Sequence, residues 1–280
     1  AGLVTDLASA DLDGDGRDEL VLAAHWQPLR VLRHDGERFV DATAAAGLAA
    51  ELGLWNTVLP LDVDGDGDID LLAGNLGHNT KYKASADKPL QLYFDDFDGD
   101  GRRDLVEAKF EGDRLLPVRG RSCSSQAMPF LAEKFPTYER FARSTLADIY
   151  PQQKLSACGQ QQATTLASCL FRNDGSGRFT KEPLPHRAQI APIFAFAEVG
   201  ELIVAVQNSF APEPETGRHD GGTGLVLRRN AGKLEVVPTI EHGICEFGDH
   251  KALAVRRTAA GPELVGARND GALWAYRRAR

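Results

Sequence analysis

The stretch LDVDGDGDIDLL, Leu61–Leu72, places five aspartates within nine positions: Asp62, Asp64, Asp66, Asp68 and Asp70. Neighbouring carboxylates repel one another, so a folded chain keeps such a cluster only where it is solvated or neutralised by a cation. The spacing favours a cation. Aspartates at loop positions 1, 3 and 5, the backbone carbonyl of position 7 and a carboxylate at position 9 can wrap oxygens around one hard ion. Calcium takes roughly 6–8 such oxygen ligands. Glycines at positions 4 and 6 let the chain turn through positive φ, so that alternate side chains point inward. The plainer reading is a solvated turn built of Asp-Gly pairs.

The phrase occurs three times, as DLDGDGRDEL from Asp11, DVDGDGDIDL from Asp62 and DFDGDGRRDL from Asp96. Candidate ligands are Asp11, Asp13, Asp15, the Arg17 carbonyl and Glu19 in the first loop, and Asp62, Asp64, Asp66, the Asp68 carbonyl and Asp70 in the second. In the third they are Asp96, Asp98, Asp100, the Arg102 carbonyl and Asp104. Three copies with one spacing argue against coincidence.

Such a loop can sit between two helices, as in an EF-hand, or between two strands. The third copy satisfies the EF-hand pattern, with Glu107 at position 12, whereas Leu22 and Ala73 hold that position in the other two and cannot bind a cation. Short apolar runs of strand length precede the loops (LASADL, NTVLPL, QLYFDD) and follow them (ELVLAA, DLLAGN, DLVEAK). Each loop is therefore expected to join two antiparallel strands.

The acid-Leu-aliphatic phrase that opens the second strand recurs at Glu201-Leu202-Ile203 and Glu263-Leu264-Val265, where short glycine connections replace the aspartate loop. Five units are visible, three of them with the loop. VLRHDGERFVDAT and LFRNDGSGRFTKEPL each read strand, turn, strand. Repeated units of a few short strands predict an all-β chain of antiparallel blades, a β-propeller.

The loops, together with RFVDATAAAGL, AGNLGHNTKYKAS, KFPTYERFA, NDGSGRF and ETGRHD, resemble the FG-GAP/VCBS repeat proteins. The likeness runs to bacterial extracytoplasmic members related to cartilage acidic protein and, more distantly, to the integrin α-chain propeller. It implies a calcium-bearing propeller of about seven blades, assigned to adhesion or recognition without known catalysis. Five visible units fall short of that number. They make part of a larger ring or a smaller closed one.

The chain is expected to be a single propeller domain, residues 1–280, truncated at its N-terminus, since residue 1 leads directly into a strand with none to spare for closing a ring. The second and third loops start only 34 residues apart, short for a four-stranded blade, so a strand is missing there or PLQLYF serves twice. Residues 121–153 have helical spacing, with Phe141, Leu146, Ile149 and Tyr150 on one face and Pro136 dividing two helices. They read as a helical insertion.

The formal net charge is −8, yet the first two loops hold five acids each and the third four, 14 of the 40 acidic residues. About three calcium ions would leave roughly −2 by charge counting, so the acidity belongs to the metal loops. No basic stripe with interleaved aromatics suggests nucleic acid; RRTAA and RRAR read as solvated strand ends. No run approaches the roughly 20 apolar residues of a membrane helix, and no leader opens the sequence. A monomer with an unidentified protein or glycan ligand is expected. The address expected is extracytoplasmic (secreted, periplasmic or outer surface), because millimolar calcium suits weak loop sites and the cysteine count is even. Among Cys123, Cys158, Cys169 and Cys245, a bond from Cys123 to Cys158 would bracket the insertion; buried free thiols are the alternative.

Other clusters offer a competing reading. Some calcium-containing propellers, the rhamnogalacturonan lyases, cleave acidic polysaccharides, and such chemistry needs a base and a charge-neutralising group. His78, Lys81, Tyr82 and Lys83 lie in one phrase, Arg218, His219 and Asp220 in another. HGICEFGDH brings His242, Cys245 and His250 within reach of a transition metal. Polar loops at a propeller face explain all of these. Trp26, Trp55 and Trp274 read as core residues, with stacking on a sugar the sharper alternative.

Overall fold

The computed structural model describes residues 2–213, 216–269 and 271–277. They form two compact units: one is Tyr82–Thr165, and the other combines the residues up to Lys81 with those from Leu166 onward.

The larger unit opens with β1 (Leu3–Ala10), β2 (Glu19–Gln27), β3 (Arg30–His34) and β4 (Phe39–Asp41), an antiparallel sheet in chain order, with β5 (Gly53–Leu54) paired to the end of β2. The alternation of β2 shows why it is central: Val21 and Ala23 are buried while Leu20 and Leu22 are half-buried. The strand pairing slips between His25 and Gln27, where Trp26 takes a positive φ of 60°. β6 (Thr57–Leu61) and β7 (Asp70–Gly74) then begin a second sheet; every residue of β7 is buried, as in a strand covered on both faces.

Here the chain leaves for the smaller unit. Its sheet consists of β8 (Leu90–Asp95), β9 (Asp104–Glu111), β10 (Arg114–Pro117) and β11 (Gly159–Ala163), in the order β10-β9-β8-β11. Between β10 and β11 run five short helices: α1 (Arg121–Ala127), α2 (Phe130–Lys134), α3 (Tyr138–Arg143), α4 (Leu146–Ile149) and α5 (Gln152–Ala157). The two helices expected on either side of Pro136 are thus cut further. Pro129 and Pro151 cap α2 and α5, Thr137 accepts from the Arg140 N–H at the start of α3, and Thr145 with Asp148 forms a capping box on α4. Phe141, Leu146, Ile149 and Tyr150 are buried together with Tyr93, Phe97 and Val106, so the predicted apolar set is right although no single helix carries it.

β12 (Cys169–Asn173) and β13 (Phe179–Pro183) complete the second sheet of the larger unit, in the order β13-β12-β7-β6. This explains the short interval between the second and third loops. No strand is missing: the third loop belongs to a sheet inserted between β7 and its partner β12. A third sheet, β14 (Ile193–Val199), β15 (Leu202–Gln207), β16 (Leu225–Asn230) and β17 (Lys233–Val236), follows in chain order. After α6 (Thr239–His242) comes a last one, β18 (His250–Thr258), β19 (Gly261–Arg268) and β20 (Trp274–Arg277). In the last two sheets the recurrent acid-Leu-aliphatic phrase again falls at the start of the second strand, at β15 and β19.

Successive sheets of the larger unit share cores. Val21, Val31, Leu71 and Phe171 join the first sheet to the second, with Trp55 fully buried among them and its ring edge-on to Phe171 at 5.5 Å. Leu72, Leu170, Ile203 and Leu227 join the second to the third, and Val204, Val226 and Leu264 the third to the last. Each such side chain contributes about 1.5–3 kcal/mol by leaving water. The first strands β1, β6, β14 and β18 neighbour one another in turn. The chain is mostly β, in five antiparallel sheets among the described residues.

None of the four cysteines is in a disulfide, so the expected bond from Cys123 to Cys158 is not formed. Cys123 lies on α1 and Cys158 ends α5, where its thiol turns to the Leu155 carbonyl at 3.3 Å. Cys169 packs in the core between the first two sheets, and burial pushes its thiol up to about 12. Among the described residues no helix is long and apolar enough to cross a membrane.

Candidate metal centre

The three aspartate loops join first to second strands: β1 to β2, β6 to β7 and β8 to β9. The third copy too lies between paired strands, as expected, and not between EF-hand helices; Glu107 on β9 accepts from the Tyr82 hydroxyl and pairs with Arg119, both at 3.1 Å.

One hydrogen-bond pattern shapes all three loops. The carboxylate at position 1 accepts from the N–H groups of the glycines at positions 4 and 6: Asp11 from Gly14 and Gly16 (2.8 and 2.8 Å), Asp62 from Gly65 and Gly67 (2.7 and 3.1 Å), Asp96 from Gly99 and Gly101 (2.6 and 2.9 Å). Both glycines have φ between 73° and 97° in every copy, a region that side chains with a Cβ rarely enter. The carboxylate at position 5 accepts from the N–H at position 7, that of Arg17, Asp68 or Arg102, at 2.7–2.9 Å. The carboxylate at position 9 reaches back to the N–H of position 2: Glu19 to Leu12 (2.9 Å), Asp70 to Val63 (3.2 Å) and Asp104 to Phe97 (2.9 Å).

Carboxylate oxygens converge in each loop. One oxygen from each of Asp11, Asp13 and Asp15 lies within 4.8 Å of the others; the same holds for Asp62, Asp64 and Asp66, and for Asp96, Asp98 and Asp104. The donors are hard oxygens throughout, which fits magnesium, calcium or manganese and does not fit soft metals. Position 9 belongs to the convergent set in the third loop, whereas positions 1, 3 and 5 make the set in the first two. Burial, followed by the charges of Asp15 and Asp11, pushes Glu19 above the usual carboxylate range; burial does the same to Asp70 and Asp104. Asp96 goes the other way, held down chiefly by the N–H of Gly101. Like charges gathered at half-buried positions are the setting that a divalent cation relieves.

The first two loops are tied through the β12–β13 hairpin. The Asn173 amide donates to the carbonyls of Leu12 (2.7 Å) and Ile69 (3.0 Å), and its backbone N–H donates to Asp70 (2.8 Å). Sequence reasoning missed this residue. The signal was present in NDGSG, an Asx turn like those of the loops, where Asn173 accepts from Gly175 and Gly177.

The other clusters are placed as follows. Lys81 pairs with Glu213 at 3.5 Å, Arg218 lies over the Phe210 ring at 4.9 Å, and His219 is buried, its backbone paired with Ser209. His242, Cys245 and His250 do not converge: His242 accepts from the Ile244 N–H on α6, Cys245 is exposed, and His250 accepts from the Trp274 indole at 3.1 Å. Among the described residues the groupings able to hold a metal are the three aspartate sets. Trp55 is a core residue, and Trp26 and Trp274 are half-buried.

His250 gives a pH prediction. Burial pushes its imidazole below 6.5, and burial does the same to His219 and His242. As pH falls through 6.5 the unfolded chain takes up these protons first, so stability is full above that value and declines below it. The urea midpoint is expected to be lower at pH 5.5 than at pH 7.5, with a smaller difference in His250→Gln. Equal midpoints in the parent protein would contradict the burial argument.

Antiparallel hairpins with acidic, glycine-turned loops, repeated in three of the sheets, define a β-repeat protein. Residues 11–73, from the first loop to the end of β7, match the FG-GAP-like repeat. The match covers the first two aspartate loops and is consistent with a β-propeller-like module built from that repeat. A comparison with curated proteins finds no match.

Proposed function

We propose that each aspartate loop holds one calcium ion and that the protein is a calcium-stabilised, non-catalytic recognition module for a protein or glycan outside the cytoplasm. The observation that carries this is the threefold recurrence of one loop hydrogen-bond pattern, with three carboxylates converging in each loop. The ligands are positions 1, 3 and 5, the position 7 carbonyl and position 9. Bound calcium supplies positive charge to the loops and so favours the folded state, in which the carboxylates are gathered. Millimolar extracellular calcium is matched to exposed loops of this kind.

Recognition and turnover are separated by one experiment. The calcium-loaded protein is passed over immobilised acidic and neutral glycans, and the bound ones are then incubated with it while the ultraviolet absorbance of an unsaturated uronate product is followed. Saturable binding with flat absorbance is expected. Rising absorbance would replace this reading with a polysaccharide lyase.

A further inference from the structure

We infer that an arginine on the third strand acts as a built-in counter-ion that competes with the cation in the first two loops, leaving the third loop as the tightest calcium site. This rests on the reading of the loops as calcium sites and ranks them.

Strand register places the arginines. Leu20 pairs with Leu32, which sets Arg33 on β3 opposite Glu19, and Leu71 pairs with Phe171, which sets Arg172 on β12 opposite Asp70. Each guanidinium contacts the carboxylates at positions 3 and 9 of its loop. Arg33 pairs with Asp13 and lies 3.5 Å from Glu19; Arg172 lies 2.8 Å from Asp64 and 3.7 Å from Asp70. Two different sheets thus bring one positive charge to the same two ligand positions.

The remaining sheets supply the comparison. In the last sheet, where a short glycine turn replaces the aspartate loop, Glu263 pairs across the strands with Arg277 and is 4 % exposed. Both Arg277 and Arg256 bond its carboxylate, so guanidinium alone neutralises the acid where no aspartate cage exists. In the third sheet Arg229 holds the corresponding register position, next to the Leu202–Arg228 pair, and bonds Glu198. The sheet of the smaller unit departs from this. β10 pairs Arg114 with Glu111 at the far end of the hairpin from the loop, and the Arg114 guanidinium is spent on the Arg143 carbonyl. Lys154 donates to the backbone carbonyls of Asp96 and Phe97, so its charge acts on position 1 of this loop and not on positions 3 and 9 together. There the convergent set is Asp96, Asp98 and Asp104, at positions 1, 3 and 9, while in the arginine-bearing loops it is made by positions 1, 3 and 5.

A fixed positive charge within about 4 Å of two ligands opposes a divalent ion at the same oxygens by Coulomb repulsion. Affinity should therefore follow the presence of the arginine charge and not its shape. The test is calorimetric titration of chelator-stripped protein with calcium, for the parent chain, Arg33→Gln, Arg33→Lys and Arg172→Gln, with circular dichroism confirming that each is folded. The parent is expected to show one tight site and two weaker ones. Arg33→Gln should tighten one weak site by about tenfold or more, Arg172→Gln should tighten the other, and Arg33→Lys should leave the parent pattern. Three equal sites, or glutamine variants that bind calcium no better than the parent, would overturn the counter-ion role while leaving the calcium reading intact. An absence of calcium heat in all four folded proteins would remove that reading and this inference with it.

Discussion

Chelation of calcium is expected to lower the melting temperature by roughly 15 °C or more. A ligand bound only by the native state adds about 2.7 kcal/mol per site when its free concentration is a hundredfold above the dissociation constant. Three filled loops then add about 8 kcal/mol, and for chains of this size each kcal/mol moves the midpoint by roughly 2–4 °C. Two of the loops lie in the larger unit and the third in Tyr82–Thr165. If the units melt separately, both transitions should shift, the larger unit's gaining the contribution of two ions. A differential scan in calcium and in excess chelator measures this directly. Superimposable scans, with metal shown to be absent from the chelated sample, would count against structural calcium.

The second large effect concerns position 1 of the second loop. Asp62→Ala removes a ligand and leaves the N–H groups of Gly65 and Gly67 without their acceptor. Losing the ion costs about 2.7 kcal/mol at the same calcium excess, and losing the turn's hydrogen bonds costs about 1 kcal/mol more, comparable to removing a helix cap. The two parts separate by experiment. In calcium, Asp62→Ala should be less stable than the parent by about 3–4 kcal/mol, whereas in chelator only the roughly 1 kcal/mol turn term should remain. Asp62→Asn keeps an acceptor oxygen and should recover most of the chelator difference but little of the calcium difference. Equal destabilisation with and without calcium would mean that Asp62 is only a turn residue.

How much of this was legible in the sequence depended on whether the signal was local. The aspartate spacing, the glycines at positions 4 and 6 and the acid-Leu-aliphatic phrase lie within about a dozen residues, and they gave the hairpins, the second strands and the candidate ligands. The pairing of β7 with β12 joins Leu72 to Leu170, and no local pattern reports a partner so distant in the chain. From local signals alone, the hairpin carrying the third loop therefore reads as the next blade in line. The helices are shorter than the sequence suggests for a different reason: the apolar period runs on across Pro129, Thr137, Thr145 and Pro151, each of which starts a new helix. The counter-ions were within reach: VLRHDG and LFRNDG place Arg33 and Arg172 two residues before Asp-Gly. Their meaning depends on cross-strand register, which only the fold supplies.

Each of the three loops is proposed to bind one calcium ion. Native mass spectrometry of the folded protein after equilibration with millimolar calcium counts the ions directly, with Asp62→Ala measured beside it. Three bound calcium ions are expected in the parent and two in the variant. A folded parent protein carrying none would contradict it, and would make the aspartate loops solvated turns.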